Sequence, residues 1–479
     1  MIGANLLLRD VEIGGLPHRD VRIRRGVIAE IDIDLRGHEE VVEGNGGALI
    51  PGLIDHHAHL LASAAATASV DVGPGAVASP SAFVRALRAA DAAQPEAKCL
   101  RACGYHETVA GSLTRGVLDA IVPSRPLRVQ HATGSLWVLN SAALRVVTGA
   151  EPLPDCVERD AAGEATGRVW RGDTWLRARI GAEPPDLRAL SARLARAGVT
   201  GICDASATTD DATASLIAQA VRDGDVCQRL LLMSAAELAP SPDDAFTVGP
   251  VKILLDDGDL PDFGELAARV TLAHAWRRNA AIHCVTAGEL AFALAAFETA
   301  GVRPGDRIEH GGIVHDIAVA RIAELGLTVV TQPGFIAERG DRYLSEVPSD
   351  DHASLYRCAT LLAAGVKVAG STDAPYTTGD AWAAIRAAVS RRTHAGRVVG
   401  KSECISPARA LQLFLGSFAD PGGPPRRVET GAPADLCLLD RPLRDALREP
   451  HADHVAATII GGRVVHARRP VVKYAEATT

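Results

Sequence analysis

The sequence predicts an α/β protein: a (β/α)8 barrel of the TIM type, joined to a small β-sandwich built from both ends of the chain. Three observations lead there. Through the middle, short apolar runs alternate with helix-like segments, as parallel β/α units require. At both ends, short strands follow one another with glycines between them. His, Lys and Asp recur near the ends of the central apolar runs, where a β/α barrel carries its chemistry.

The N-terminal strands fall at 4–8, 20–23, 27–32, 40–43 and 48–50. The far end has runs at 434–439, 455–460 and 463–466, with Gly461-Gly462 between the last two as a hairpin signal. Residues 1–50 with 425–479 are therefore assigned to the small β domain, and 51–424 to the barrel. Candidate barrel strands are 53–55, 127–130, 199–203, 229–233, 251–255, 280–283, 307–310, 327–331 and 366–370. Helix-like segments such as 81–93, 210–223, 263–279, 288–300 and 315–325 lie between them. That is one strand too many for a barrel of eight. The run at 127–130 is placed outside, in an insertion at about 100–185 that is rich in Arg, Gly and Pro and weakly periodic.

Composition bounds the function. Of 479 residues, 47% are apolar and 23% charged, so there is material for a large core. The net charge of -8 comes without a basic stripe, which argues against nucleic acid as a partner. No apolar run reaches the roughly 20 residues of a membrane span, and the start, Met1-Ile2-Gly3-Ala4, lacks the basic n-region and apolar core expected of a signal sequence. Nine irregularly spaced cysteines read as reduced thiols of a cytoplasmic protein. The expected partner is a small-molecule substrate, and a homo-oligomer is left open. Only five basic residues are lysines, so each deserves inspection.

The chemistry begins at Asp55-His56-His57-Ala58-His59, after an apolar run. Residues i and i+2 of a strand face one side, so His57 and His59 can converge on one metal ion. His56 faces the other way and reads as a supporting residue. His283, His310 and Asp373 each follow or close a later apolar run. Lys252 lies inside Val251-Lys252-Ile253, where an ammonium is costly unless paired or neutralised. Carbamylation by carbon dioxide would turn it into an anionic ligand. The alternative is a structural lysine paired with Asp256 or Asp257. Lys367 reads as a snorkelling side chain. Tyr105, His131, Trp137 and Gln332 are candidate substrate contacts, with packing the alternative for His131, Trp137 and Asn140. The pair Arg391-Arg392 reads as a solvated helix face.

These pieces resemble the amidohydrolase superfamily of metal-dependent hydrolases. The matching segments are Pro51-Gly52-Leu53-Ile54-Asp55 with His57 and His59, the strand lysine Lys252, His283, Ile308-Glu309-His310-Gly311, and Gly370-Ser371-Thr372-Asp373-Ala374-Pro375. Gly431-Ala432-Pro433-Ala434-Asp435-Leu436 also fits. The resemblance runs from about residue 1 to 466. Gly104-Tyr105, Trp137 to Leu144 and Ala388 to Thr393 are most similar to the branch containing N-substituted formamide deformylase and uncharacterised relatives. Two segments depart from it, His131 to Ser135 and Asp256 to Asp259, both where substrate contacts are expected.

The resemblance implies two divalent metal ions, zinc by expectation. His57 and His59 would hold one with Asp373, and His283 and His310 the other. Carbamylated Lys252 and a hydroxide would bridge them, and Asp373 would be the catalytic proton shuttle. The expected function is hydrolysis of C–N bonds in linear amides, either N-formyl or N-acyl amines. One alternative is a deaminase of a ring amidine with a single metal on His57, His59, His283 and Asp373. The other is a non-catalytic binding or regulatory protein on a hydrolase scaffold.

Overall fold

The computed structural model describes residues 5–94, 98–148, 152–180 and 184–473. The chain divides into two compact units, residues 1–60 with 187–479 and residues 61–186. Among the described residues, no helix is long and apolar enough to cross a membrane.

The first unit holds an eight-stranded parallel sheet. Its strands in chain order are β1 (Leu53–Ala58), β2 (Val199–Asp204), β3 (Arg229–Ser234), β4 (Thr247–Ile253), β5 (Ala280–Cys284), β6 (Arg307–His310), β7 (Thr328–Thr331) and β8 (Lys367–Gly370). Each pairs in parallel with its predecessor, so spatial order equals chain order. Helices such as Asp211–Arg222, Phe263–Ala275 and Ala287–Ala300 fill the crossovers. With both faces covered, a strand can be buried without alternating: Ala280-Ala281-Ile282 is buried end to end. Eight of the nine sequence-predicted runs form these strands. The ninth, at 127–130, lies outside the barrel as expected.

The sheet nearly closes on itself through side chain and backbone at its seam. The Asp373 backbone N donates to His57 O at 2.8 Å, and His59 N donates to Ala374 O at 2.8 Å. Asp55 within β1 accepts from Thr372 N at 3.0 Å and from the Thr372 hydroxyl. Burial pushes the Asp55 carboxyl up to about 6, against hydrogen bonds from Thr372 and His57 that favour its charged form.

The chain ends combine in a second sheet of this unit. Leu6–Ile13, Leu16–Arg24, Val27–Asp32 and Glu40–Pro51 are joined by Leu436–Leu439, Val455–Ile460 and Arg463–Ala467, with Val472–Lys473 pairing beside Glu40. Glu40–Pro51 serves both halves. Its first part pairs with Leu6–Ile13 and its last three residues with Leu436–Leu439. Leu6, Leu8, Val21, Ile23, Leu436 and Ile459 bury one core between them. The predicted Gly-Gly hairpin is present: Gly461 and Gly462 have φ of 56° and 76°, the two positive values a two-residue hairpin loop demands.

The second unit has a six-stranded sheet of its own, with Leu100–Tyr105 and Leu127–His131 as parallel neighbours. The segment read as an insertion lies within it. Its main core is built from Phe83, Leu87, Leu100, Leu127 and Val138, among others.

Arg391 overturns one expectation. The sequence places it on a solvated helix face, but it is fully buried, while Arg392 beside it is exposed. It ends helix Ala381–Ser390 with φ 46°, which turns its guanidinium inward. There it donates to Val399 O at 2.7 Å, Tyr356 O at 2.9 Å and Leu355 O at 2.6 Å. Three irregular-backbone carbonyls, which no strand ladder could satisfy, select a cation with a forked set of donors. Arg391→Leu should therefore cost on the order of 3 kcal/mol of stability, since stranded buried acceptors are penalised singly. The midpoint of a urea unfolding curve measures it.

Candidate metal centre

Three ligand-type side chains converge at the carboxyl ends of β1 and β8. His57 closes β1, His59 follows it, and Asp373 follows β8. Their donor atoms lie within 4.8 Å of one another. Asp373 Oδ1 is 3.2 Å from His59 Nε2 and 3.5 Å from His57 Nε2. His310 stands next to them, with Nδ1 3.8 Å from Asp373 Oδ2. Its ring centroid is 4.7 Å from that of His57 and 4.5 Å from that of His283. The three histidines of β1, β5 and β6 thus form one packed row, with His59 and Asp373 alongside.

Two of these positions are strained. His310 and Asp373 have φ of 70° and 55°, in the left-handed region that non-glycine residues avoid. The turn after β6 is also tight, because a Cβ on Gly312 would lie 2.4 Å from Val285 O. Only glycine lets the β5 and β6 ends approach so closely.

Burial sets the electrostatics. It holds His57 and His310 well below the ordinary histidine range, and the neighbouring Lys252 and histidines add to this. Both rings are neutral, the state a metal ligand needs. His56, facing away, is pushed down to about 3 by burial and by Arg307 and Arg426. It takes no place among the ligand atoms. Lys252 is 1% exposed, and burial lowers its ammonium pKa while Glu309 and Asp373 raise it. Its Nζ has no hydrogen-bond partner, and neither do His57 Nε2 and Asp373 Oδ1. Asp256 and Asp257 do not pair with it. Buried polar atoms without partners are expensive. Here an imidazole nitrogen and a carboxylate oxygen are left so, ligand types that fit divalent cations, with the Lys252 amine also unpartnered.

A supporting layer holds these groups. His57 Nδ1 donates to Glu309 Oε2, and Arg307 donates from Nε to the other oxygen of Glu309. Arg307 also reaches His56 O at 3.4 Å. His59 Nδ1 contacts Ser206 Oγ at 3.1 Å. Gln332, read as a substrate contact, is fully buried. Its Oε1 is 2.9 Å from His310 Nδ1 and its amide nitrogen donates to Ser371 Oγ at 2.9 Å. Its amide is thus spent on orienting His310.

The other three candidate substrate contacts belong to the second unit. Tyr105 is buried in its core and donates to Gly111 O. Trp137 is buried too, with Nε1 donating to Asp173 at 2.8 Å. His131 pairs with Glu107. Asn140 caps helix Ser141–Val147 through Ala143 N at 2.8 Å and holds the Val122 and Arg125 carbonyls, a packing role.

Sequence reasoning missed Glu309 and Arg307. The signal was available. Two charged residues at i and i+2 of a short strand point to one side, and inside a barrel they must neutralise one another or a neighbour. Glu309→Gln should weaken metal retention by about 10–100-fold, the usual cost of losing such a partner. Metal content after dialysis against a weak chelator, with circular dichroism as the fold control, reads it out.

The sequence pattern that defines the amidohydrolase family matches residues 40–466. An N-substituted formamide deformylase from Arthrobacter pascens is 26% identical over 90% of each chain. The putative amidohydrolase YtcJ of Bacillus subtilis strain 168 is 23% identical over 90% of this chain and 91% of its own. The crystal structure of an uncharacterized metal-dependent hydrolase from Pyrococcus horikoshii OT3 superposes with a TM-score of 0.71 at 20% identity, over 91% of this chain and 97% of that one. With the barrel, the row of histidines and a pattern match over most of its length, the chain belongs to the amidohydrolase family and is a hydrolytic enzyme acting on carbon–nitrogen bonds other than peptide bonds.

Proposed function

We propose that the enzyme hydrolyses linear amides of the N-formyl or N-acyl amine class, with two divalent cations, zinc by preference. His57, His59 and Asp373 would hold one, His283 and His310 the other, and carbamylated Lys252 would serve both. The observation that carries the reading is the group of buried, unpartnered ligand atoms on His57, Asp373 and Lys252. The likeness to an N-substituted formamide deformylase, at 26% identity, directs the choice of bond. Cations bound there would polarise the amide carbonyl and make water ionise near neutral pH.

The chain's own residues then have defined tasks. Glu309 accepts the hydrogen bond from His57 Nδ1–H, so Nε2 is turned to the centre. Gln332 orients His310 in the same manner. Asp373 Oδ1 has no hydrogen bond and sits between His57 and His59. It is the base that accepts a proton from the attacking water and returns it to the departing amine nitrogen. Burial lowers the Lys252 ammonium pKa, against Glu309 and Asp373, a shift in the direction that favours the free amine with which carbon dioxide reacts. A deaminase with one cation on His57, His59, His283 and Asp373 would give Lys252 no task. The cysteines among the described residues are unpaired thiols, which suits a cytoplasmic setting.

Three measurements test this. Metal-replete enzyme should cleave N-formyl or N-acetyl amines in preference to cyclic imides, lactones and ring amidines. Ammonia release from a ring amidine alone would select the deaminase. Asp373→Asn should lose about 10²–10⁴-fold in activity while retaining metal, and a variant within a few-fold of the parent would assign the proton to another group. Lys252→Ala should lose metal and activity together, with acetate or propionate restoring part of both. Two metals per chain retained by that variant would refute the bridge.

A further inference from the structure

The ligand-type side chains at the seam are not equally open. The side chain of His57 is 1% exposed, that of His310 5% and that of Asp373 7%, but that of His59 is 19% exposed. Of these four, His59 is the one that meets the surroundings, and its Nε2 is 3.2 Å from Asp373 Oδ1.

Tyr376 stands beside it. The two ring centroids are 5.4 Å apart with an interplanar angle of 77°, an edge-to-face arrangement. The Tyr376 backbone is fixed on both sides of the ring. Its amide donates to Asp373 O at 2.8 Å, and its carbonyl accepts from Arg339 Nη2 at 2.7 Å. Arg339 belongs to helix Gly334–Glu346, and its guanidinium carbon lies 4.4 Å from the ring centroid of Phe335. Tyr376 packs against the buried cluster that contains Phe335, Ile336 and Tyr356, yet is itself only half-buried. Part of it rests on a fixed apolar base, and the remainder is accessible.

The next step rests on the amide reading above. There Asp373 returns a proton to the departing nitrogen, so that nitrogen comes within hydrogen-bond reach of Asp373, ~2.6–3.2 Å. The surroundings of Asp373 limit where the nitrogen's substituent can go. The sides of His57 and His310 are closed, and the side of His59 is open. A substituent that leaves past His59 meets Tyr376. The acyl substituent is not directed there, because Asp373 exchanges protons with the water and the nitrogen only. We propose that Tyr376 is a specificity-determining residue that reads the substituent on the departing amine, and that the enzyme prefers amides of amines with an apolar chain long enough to cover its ring. A methyl group covers least of that ring. Each further methylene that finds apolar surface in a site is worth roughly 10-fold or more in discrimination. The backbone bonds to Asp373 and Arg339 hold the ring in place before substrate arrives, which lowers the ordering cost of the contact.

Two substrate series separate the sides of the bond. N-methyl-, N-propyl- and N-hexylformamide vary the amine. The formyl, acetyl and butanoyl derivatives of methylamine vary the acyl group. The metal-replete parent should favour the hexyl over the methyl compound. Tyr376→Ala should reduce that preference roughly 10-fold, through KM rather than kcat, since the contact is made equally in the ground and transition states. The ranking within the acyl series should stay as it was. Tyr376→Phe, which keeps the ring, should keep the parent's preference. Hexylamine as a competitive inhibitor should weaken by the same factor in the alanine variant, and methylamine should not. Metal content and circular dichroism check that the variant is intact. If the alanine variant unfolds or loses metal, Tyr376→Gln decides by the same ratios. An unchanged hexyl-to-methyl ratio in an intact variant, or a parent without preference for the longer chain, overturns this inference and leaves the amide reading standing. Cleavage of neither series by the parent overturns both.

Discussion

The seam between β1 and β8 is the constraint on which the site depends. His57 and His59 come from the first barrel strand and Asp373 from beyond the last, more than 300 residues away. They meet only because the parallel sheet curls until its two edges touch. At that contact Asp55 accepts from the Thr372 backbone and hydroxyl, and the Asp373 amide donates to the His57 carbonyl. The same few residues therefore close the barrel and assemble the ligand atoms. Loosening the seam would disperse the centre without touching a ligand.

Closure has an electrostatic consequence. It buries Asp55, His56, His57, Lys252, Arg307, Glu309, His310 and Asp373 in one region. Such a concentration of charge is unfavourable unless each group is paired or neutral. The histidines answer by staying neutral, and Glu309 by bonding both Arg307 and His57. Lys252 Nζ, His57 Nε2 and Asp373 Oδ1 have no such answer within the chain. These three atoms lie on the residues assigned above to the proposed centre, and His56, facing away, also keeps both ring nitrogens unpartnered. The strained backbones of His310 and Asp373 agree with such a centre, because strain persists where function over-determines the geometry.

Arg391 shows the opposite case, a buried charge fully answered by backbone carbonyls. There every donor direction of a buried cation is met by the backbone, which is a role in holding the fold.

Much of this was legible along the chain. Eight of the barrel strands, the exclusion of 127–130, the Gly461-Gly462 hairpin and the ligand-type residues at strand ends all follow from local pattern. Periodicity, turn chemistry and the cost of burying polar groups act over a few residues, so they are written in the sequence. Other features had no local signature. Arg391 looked like a surface arginine, because its carbonyl partners lie eight and about 35 positions away. Gln332 looked like a substrate contact, because only the packed barrel shows that His310 and Ser371 occupy its amide. Glu309 stood beside a recognised histidine, yet its partner His57 is 252 residues distant. The sequence by itself determined the strand order and the inventory of ligand-type side chains. Only the tertiary structure decided which of them lie in reach of one another and which are left unsatisfied, since both depend on contacts between strand ends that curvature alone brings together.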